Sequence, residues 1–377
     1  MTTPFEWIET PEDLRGAVEQ MRKVDAVALD TEFVWEKTYY AQLGLVQAGL
    51  ADGTCFLIDA VALGDLSPLG TILTDTGIVK ILHDAPQDLM ILRRATGVLT
   101  RTIFDTRLAA GFAGFASTLS LENLLADLLD IHLAKAHTRA DWVARPLAAA
   151  VLDYAADDVL YLPEVAVRLR ERARAAGVEA WLNEELAGLD APEITAEPSP
   201  ADAWQRIRTR QPLPPRALAV LREVAAWREE RASQADLPRR WLMEDRVLIA
   251  MALQMPQSLD ELSGIAELSA KMVQHRGAEL LAAVARGLAV PESQCLVAEP
   301  APRRDGAFQK TVDDVLKAIQ TNATAKGIDP ALVSSRKDLA ALIQAGANAQ
   351  PNDHKLLRGW RAKFLHSAGI SLPDQQG

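Results

Sequence analysis

Short apolar runs stop about halfway along this chain, and that change constrains the fold more than any other feature. Up to about residue 104, runs at residues 26–29, 43–48, 55–58, 78–82 and 102–104 are bounded by Asp, Gly or Thr, as strands are. Longer stretches with helical spacing, at 11–24, 86–96, 106–112, 119–129 and 147–175, lie between and after them. Strand and helix signals in alternation predict an α/β domain with a mixed sheet flanked by helices, over residues 1–190. Residues 191–203 hold Pro192, Pro198 and Pro200 among acids, the chemistry of a linker. A second punctuated stretch, 290–306, holds Pro291, Pro300 and Pro302. The segments at 204–289 and 307–372 are helical in period with almost no strand signal, so two small all-α domains are expected there.

Composition narrows the function classes. At 377 residues, with 49% apolar and 24% charged residues, the chain has globular rather than disordered composition. The start lacks a basic region followed by an apolar core, and no apolar run is long enough to span a bilayer, so neither a signal peptide nor a membrane partner is expected. Cys55 and Cys295 are the only cysteines, far apart and without Cys or His neighbours at metal-ligand spacing. A disulfide framework or zinc finger is not expected, and the reducing cytoplasm is the natural compartment. The net charge of -11 is unevenly placed. Residues 1–180 carry 16 Lys+Arg against 26 Asp+Glu, whereas residues 206–246 carry 10 Arg against 6 acids and residues 303–363 carry 11 Lys+Arg against 6 acids. An acidic half joined to basic helical segments suits a metal-loaded domain beside phosphate-gripping modules; ordinary helix-surface charge is the plainer alternative.

The acidic half carries its chemistry in three places. In Val27-Ala28-Leu29-Asp30-Thr31-Glu32-Phe33 an apolar strand ends in Asp30 and Glu32, one residue apart and therefore on one face. Hard divalent cations such as Mg²⁺ or Mn²⁺ are a functional reason for such a pair, and a solvated strand end is the bland one. In Lys80-Ile81-Leu82-His83-Asp84-Ala85-Pro86-Gln87-Asp88-Leu89, Asp84 is expected to cap a helix with Gln87 completing a capping box. Asp88, just inside that helix, can project toward a site at the sheet edge, with a first-turn acid favoured by the helix dipole as the plainer alternative. Farther on, Tyr154 lies four residues before Asp158 on one helical face, with Asp157 an alternative partner on geometry alone. A phenol with an ordinary pKa near 10 is no free base at neutral pH, so Tyr154 would act by positioning or beside a metal.

Together, Asp30-Thr31-Glu32-Phe33, Asp88 in its His83-x4-Asp88-Leu89 setting, and Tyr154-x3-Asp158 resemble the three motifs of the DEDD exonuclease superfamily in its tyrosine-bearing branch. Within it, Thr38-Tyr39-Tyr40-Ala41-Gln42-Leu43-Gly44-Leu45-Val46-Gln47, Phe104-Asp105-Thr106 and Asp141-Trp142-Val143-Ala144-Arg145-Pro146-Leu147 look like the bacterial ribonuclease D family. The helical segments look like HRDC (helicase and RNase D C-terminal) domains, the one at 307–372 less clearly. The resemblance implies a ribonuclease H-like exonuclease fold, catalytic residues Asp30, Glu32, Asp88, Tyr154 and Asp158, and metal ligands Asp30, Glu32, Asp88 and Asp158. It selects Asp158 over Asp157.

It also implies 3′-5′ hydrolysis of RNA with two divalent ions, Mg²⁺ or Mn²⁺, releasing 5′-mononucleotides, with tRNA precursors bearing 3′ extensions as substrate and no obligate protein partner. Gln42, Arg139 and Arg145 are candidates for contact with the RNA backbone or terminal nucleotide. Trp142 is a candidate for stacking, packing being the alternative. His83 is a further candidate, whose plainer role is that of a hydrogen-bonded residue at a strand end. Arg239, Arg240 and Lys271 could grip a phosphate backbone. A DNA 3′-5′ exonuclease and an inert nucleic-acid-binding scaffold are the rival functions; no Walker A pattern accompanies the domain.

Overall fold

The structure is a computed structural model describing residues 4–133, 140–295, 305–346, 349–350 and 354–370. The chain forms two compact units, one of residues 1–34, 43–196 and 302–377, the other of residues 35–42 and 197–301. The first unit is built on a six-stranded sheet of β1 (Glu6–Ile8), β2 (Ala26–Val34), β3 (Gln42–Gly49), β4 (Cys55–Asp59), β5 (Val79–Leu82) and β6 (Ile103–Asp105), in the order β1-β4-β3-β2-β5-β6. β3 and β4 are antiparallel, whereas β1 lies parallel to β4 and both β2 and β6 lie parallel to β5. The mixed sheet expected from the alternating pattern is present. β1, a strand the sequence reading missed, is Glu6-Trp7-Ile8 and begins on a charged residue, so it leaves little apolar run to register.

The β3–β4 hairpin is tight for a local reason. Gly53 sits at φ 92°, where a side chain would be strained, and Asp52 Oδ1 accepts the Thr54 amide at 2.9 Å. Central β2 sends alternate side chains into two cores. Val27 and Leu29 join Leu14, Ile72, Leu89 and Leu92 on one side, while Ala28 joins Leu45, Leu57, Ala155 and Val159 on the other. The stretch at 147–175 is two helices, Ala149–Leu160 and Leu162–Ala175, because Pro163 in the first turn of the second has no N–H to continue the ladder.

The C-terminal helices Gly306–Ala325, Arg336–Ala345 and Gly359–Ser367 belong to this first unit, although their sequence reads as a domain apart. Val312, Ile319, Leu332, Trp360 and Phe364 share one core with Phe112, Val165, Leu169 and Leu182. Trp360 is fully buried, stacked on Trp181 at 5.5 Å between centroids and edge-on to Phe112 at 5.2 Å. Its indole N–H donates to Glu185 at 2.6 Å and its backbone N–H to Glu184 at 2.8 Å. Asp329 adds a polar anchor, accepting the Ser117 amide at 2.6 Å while its own N–H donates to Gly111 O at 2.7 Å.

In the second unit, helices Pro215–Gln234, Asp245–Gln254 and Ala270–Ala289 enclose Leu221, Val224, Trp227, Leu248, Met251, Leu280 and Val284. A Cβ at Gly287 would collide with the Val220 backbone, so glycine there lets the first and third of these helices approach closely. Among the described residues no helix is long and apolar enough to cross a membrane.

Removing the Trp360 ring should leave a cavity and take the indole hydrogen bond from Glu185, which keeps Arg361 as partner. Trp360→Ala is expected to destabilise the first unit by about 3–5 kcal/mol in urea unfolding followed by tryptophan-independent circular dichroism. A change below about 1 kcal/mol would mean that the C-terminal helices add little to that core.

Candidate active site

β2 ends in the carboxylates that its alternation predicts. Asp30 and Glu32 continue the face begun by Ala28, and helix Ala149–Leu160 packs on that face through Ala155, Ala156 and Val159. One helical step from Val159 brings Asp158 to the pair, so that carboxylate oxygens of Asp30, Glu32 and Asp158 lie within 4.8 Å of one another, each residue partly buried. Tyr154, one turn earlier, donates its phenol hydrogen bond to Asp158. Its ring is tilted against Trp142 at 6.3 Å.

Asp88 arrives from the other side of the strand. Thr31 faces away from its acidic neighbours, into the core where helix Pro86–Thr96 packs through Leu89 and Leu92, and its hydroxyl donates a hydrogen bond to Asp88. Both Thr31 and Asp88 are buried. The end of β2 is thus straddled, with Asp158 brought from one face and Asp88 from the other. Thr31 is a residue that sequence reasoning passed over, although its position between two acids on the opposite strand face was the available signal.

The helix bearing Asp88 is not started by Asp84. Its N-cap is Ala85, without a side-chain cap, and Asp84 has φ 65° with its carboxylate paired to Arg107. The capping expectation fails because Asp105 takes over. That buried carboxylate accepts the amides of Asp84 at 3.3 Å and Ala85 at 2.9 Å, together with those of Arg107 and Leu108 at the start of its own helix. One side chain therefore fixes two helix starts, including the one that aims Asp88.

Crowding and burial raise every acid in the cluster. Burial pushes Glu32 up to about 8, with Asp158 and then Asp88 adding repulsion. Burial likewise lifts Asp88 to about 7 against the opposing Thr31 hydrogen bond, and Asp158 to about 7 against that from Tyr154. Asp30 lies well above the ordinary carboxylate range, from burial first and then from Asp88, Asp158 and Glu32. Tyr154 is also raised by burial and by these charges, so its phenol keeps its proton at neutral pH. Oxygen donors that repel one another until a cation arrives are a fitting set for hard divalent ions.

The other candidates fare differently. Gln42 is exposed at the start of β3, and Arg139 lies outside the described residues. Arg145 corrects the expectation of a substrate contact. Its Nε and Nη2 donate to Asp59, Nη2 also to Gly44 O at 2.8 Å, and Nη1 to Trp142 O and Ala144 O at 2.8 Å, which leaves no donor free for phosphate. The loop it secures runs so close to β3 that a Cβ at Gly44 would overlap the Trp142 carbonyl. Trp142, 1% exposed, is packing and presents no face to a base. His83 Nε2 donates to the Leu119 carbonyl at 3.1 Å, and Nδ1 lies 2.9 Å from Thr106 Oγ1, whose own hydrogen goes to the Leu82 carbonyl at 3.0 Å. Burial lowers its pKa, and both ring nitrogens are occupied. Arg239 pairs with Glu229 at 3.5 Å, while Arg240 and Lys271 are exposed.

The raised pKa values carry a sign for stability. A carboxyl that is ordinarily near 4 and is raised to about 7 or 8 on folding binds its proton more tightly in the folded state. That contribution is complete below about pH 4 and is lost as the pH climbs through about 7 to 8. In chelator, therefore, thermal melting of the wild type should lose ground to that of Asp30→Asn between about pH 6 and pH 8.5, and Mg²⁺ or Mn²⁺ should restore the wild type at the upper end. Parallel melting curves for the two proteins across that range would contradict mutual repulsion.

Known proteins resemble this chain over nearly its whole length. The 3′-5′ exonuclease family matches residues 5–174 and the HRDC domain matches residues 217–284. Ribonuclease D of Desulfotalea psychrophila is 37% identical over 95% of this chain and 96% of its own length. Ribonuclease D of Escherichia coli is 32% identical over 97% of both chains. The crystal structure of the Escherichia coli enzyme, described as an exoribonuclease involved in structured RNA processing, superposes with a TM-score of 0.82 at 30% identity, covering 98% of this chain and all of that one. With likeness of that extent along nearly the whole chain, the protein belongs to the ribonuclease D family of 3′-5′ exoribonucleases.

Proposed function

We propose that this exoribonuclease trims the 3′ ends of structured RNA, tRNA precursors foremost, in a reaction dependent on two divalent ions and releasing 5′-mononucleotides. The observation that carries the reading is the convergence of Asp30, Glu32 and Asp158 within 4.8 Å, with Asp88 held beside them through Thr31. Asp30, Glu32 and Asp158 would hold one ion, and Asp30 with Asp88 the other. Bound there, the ions would supply Lewis acidity at the scissile phosphate and neutralise charge that develops on it.

The chain's own groups do the rest. Water attacks the terminal phosphorus, the bond from phosphorus to the 3′ oxygen breaks, and the shortened RNA leaves with a 3′ hydroxyl while the phosphate stays on the released nucleotide. Tyr154, kept protonated and tied to Asp158, orients the attacking water as a hydrogen-bond partner rather than removing its proton. Thr31 holds Asp88 in register with β2.

Asp30→Asn is expected to abolish degradation of a tRNA precursor with a 3′ extension while leaving its binding in gel-shift titration unchanged; retained turnover would refute the site. The same assay on matched RNA and DNA strands separates the rival, since faster hydrolysis of DNA would overturn the ribonuclease reading. Tyr154→Phe should lower kcat by roughly a hundredfold with little change in KM, as expected for a group that acts on the attacking water. Loss confined to KM would assign the phenol to substrate binding instead.

A further inference from the structure

The helix that carries Asp88 is started by a residue outside it. Helix Pro86–Thr96 opens on Pro86, which has no amide to offer, and its N-cap Ala85 has no side chain able to cap it. The turn leading in passes through Asp84 at φ 65°, a left-handed conformation that costs a non-glycine residue. What holds this turn is Asp105, the last residue of β6, which is 4% exposed. Its two oxygens divide the work. Oδ1 serves mainly its own helix, Thr106–Phe112, accepting Arg107 N at 2.8 Å and Leu108 N at 3.1 Å, with Asp84 N at 3.3 Å as a long third bond. Oδ2 accepts the amide of the buried Ala85 at 2.9 Å.

Asp88 lies three residues beyond Ala85, about 4.5 Å along the helix axis, so movement of that amide moves the carboxylate with it. The same carboxylate takes the Thr31 hydroxyl, and its charge is felt by Asp30 and Glu32. Asp105 offers the cluster no attraction. Its charge, like that of Asp84, adds to the repulsion that raises Asp88, so its service there is geometric.

We propose that Asp105 is a positioning residue for catalysis: through the bond from Ala85 to Oδ2 it sets the start of helix Pro86–Thr96, and so the place of the Asp88 carboxylate beside Thr31 and the β2 acids. All of these groups lie in the first unit. The proposal rests on the exonuclease reading above.

Two substitutions at 105 separate the oxygens. In Asp105→Asn, an amide oxygen at the Oδ1 position keeps three bonds, and the NH2 group then faces the Ala85 N–H, donor against donor. Asp105→Ser keeps a good cap for helix Thr106–Phe112 but is too short to reach Ala85. Both are expected to lower kcat on 3′-extended RNA roughly tenfold, to leave KM near that of the wild type, and to raise the Mn²⁺ concentration needed for half-maximal rate. In the metal-free proteins, hydrogen exchange read by mass spectrometry should quicken in residues 84–89 and stay near wild type in residues 106–112. An electrostatic role has the opposite sign, because Asp105→Asn removes a repelling charge; a variant with wild-type or higher kcat and an unchanged metal requirement overturns the proposal. So does a defect in KM alone, equal quickening of both segments, or loss of cooperative unfolding in both variants, which would make Asp105 a support of the fold at large. A wild type without exonuclease activity would instead remove the exonuclease reading, with hydrogen exchange still reporting whether Asp105 holds the helix start.

Discussion

Mutual repulsion among carboxylates at the end of β2 is the constraint around which the first unit is arranged. Asp30, Glu32 and Asp158 stand closer than unscreened like charges tolerate, and nothing in their own chemistry holds them together. They are held by what surrounds them: a central strand buried on both faces, a helix packed on each face, and hydrogen bonds from Tyr154 and Thr31 that oppose the rise in pKa without cancelling it. Apolar packing supplies the rigidity, and the site spends part of it.

The supporting bonds form a hierarchy. Asp105 fixes the start of the helix that carries Asp88, Thr31 ties Asp88 to the strand, and the strand carries Asp30 and Glu32. On the other face Arg145, bound to Asp59 and to the Gly44 carbonyl, seats the loop whose Trp142 lies against Tyr154. None of these supporting residues needs to touch substrate, yet each limits how far a carboxylate oxygen of the cluster can stray.

Legibility in the sequence followed the range of the interactions. Asp30 with Glu32 and Tyr154 with Asp158 could be paired because their spacings match a strand and a helix, and the strands β2 to β6 could be seen because each carries a short apolar run bounded by Asp, Gly or Thr. Asp84 misled because local capping rules know nothing of Asp105, 21 residues away. Arg145 looked like a phosphate contact for the same reason, since its partner Asp59 is 86 residues distant. The helices after residue 305 have the period of a free-standing bundle, and long-range contacts such as those of Trp360 with Trp181 and Phe112 reveal whose core they complete. Long-range partners leave no periodic trace.

The route of residues 35–42 also bears on how the chain is made. Tyr39 and Glu229 are 190 positions apart, so during synthesis the segment is finished long before the helix that receives it exists. β2 and β3 must pair across a stretch that has nothing to lean on, and the sheet must be stable enough to wait. The three-dimensional order of this protein is therefore completed from its later half backward, with the carboxylate-bearing strand among the first segments written and the segment that follows it among the last to be secured.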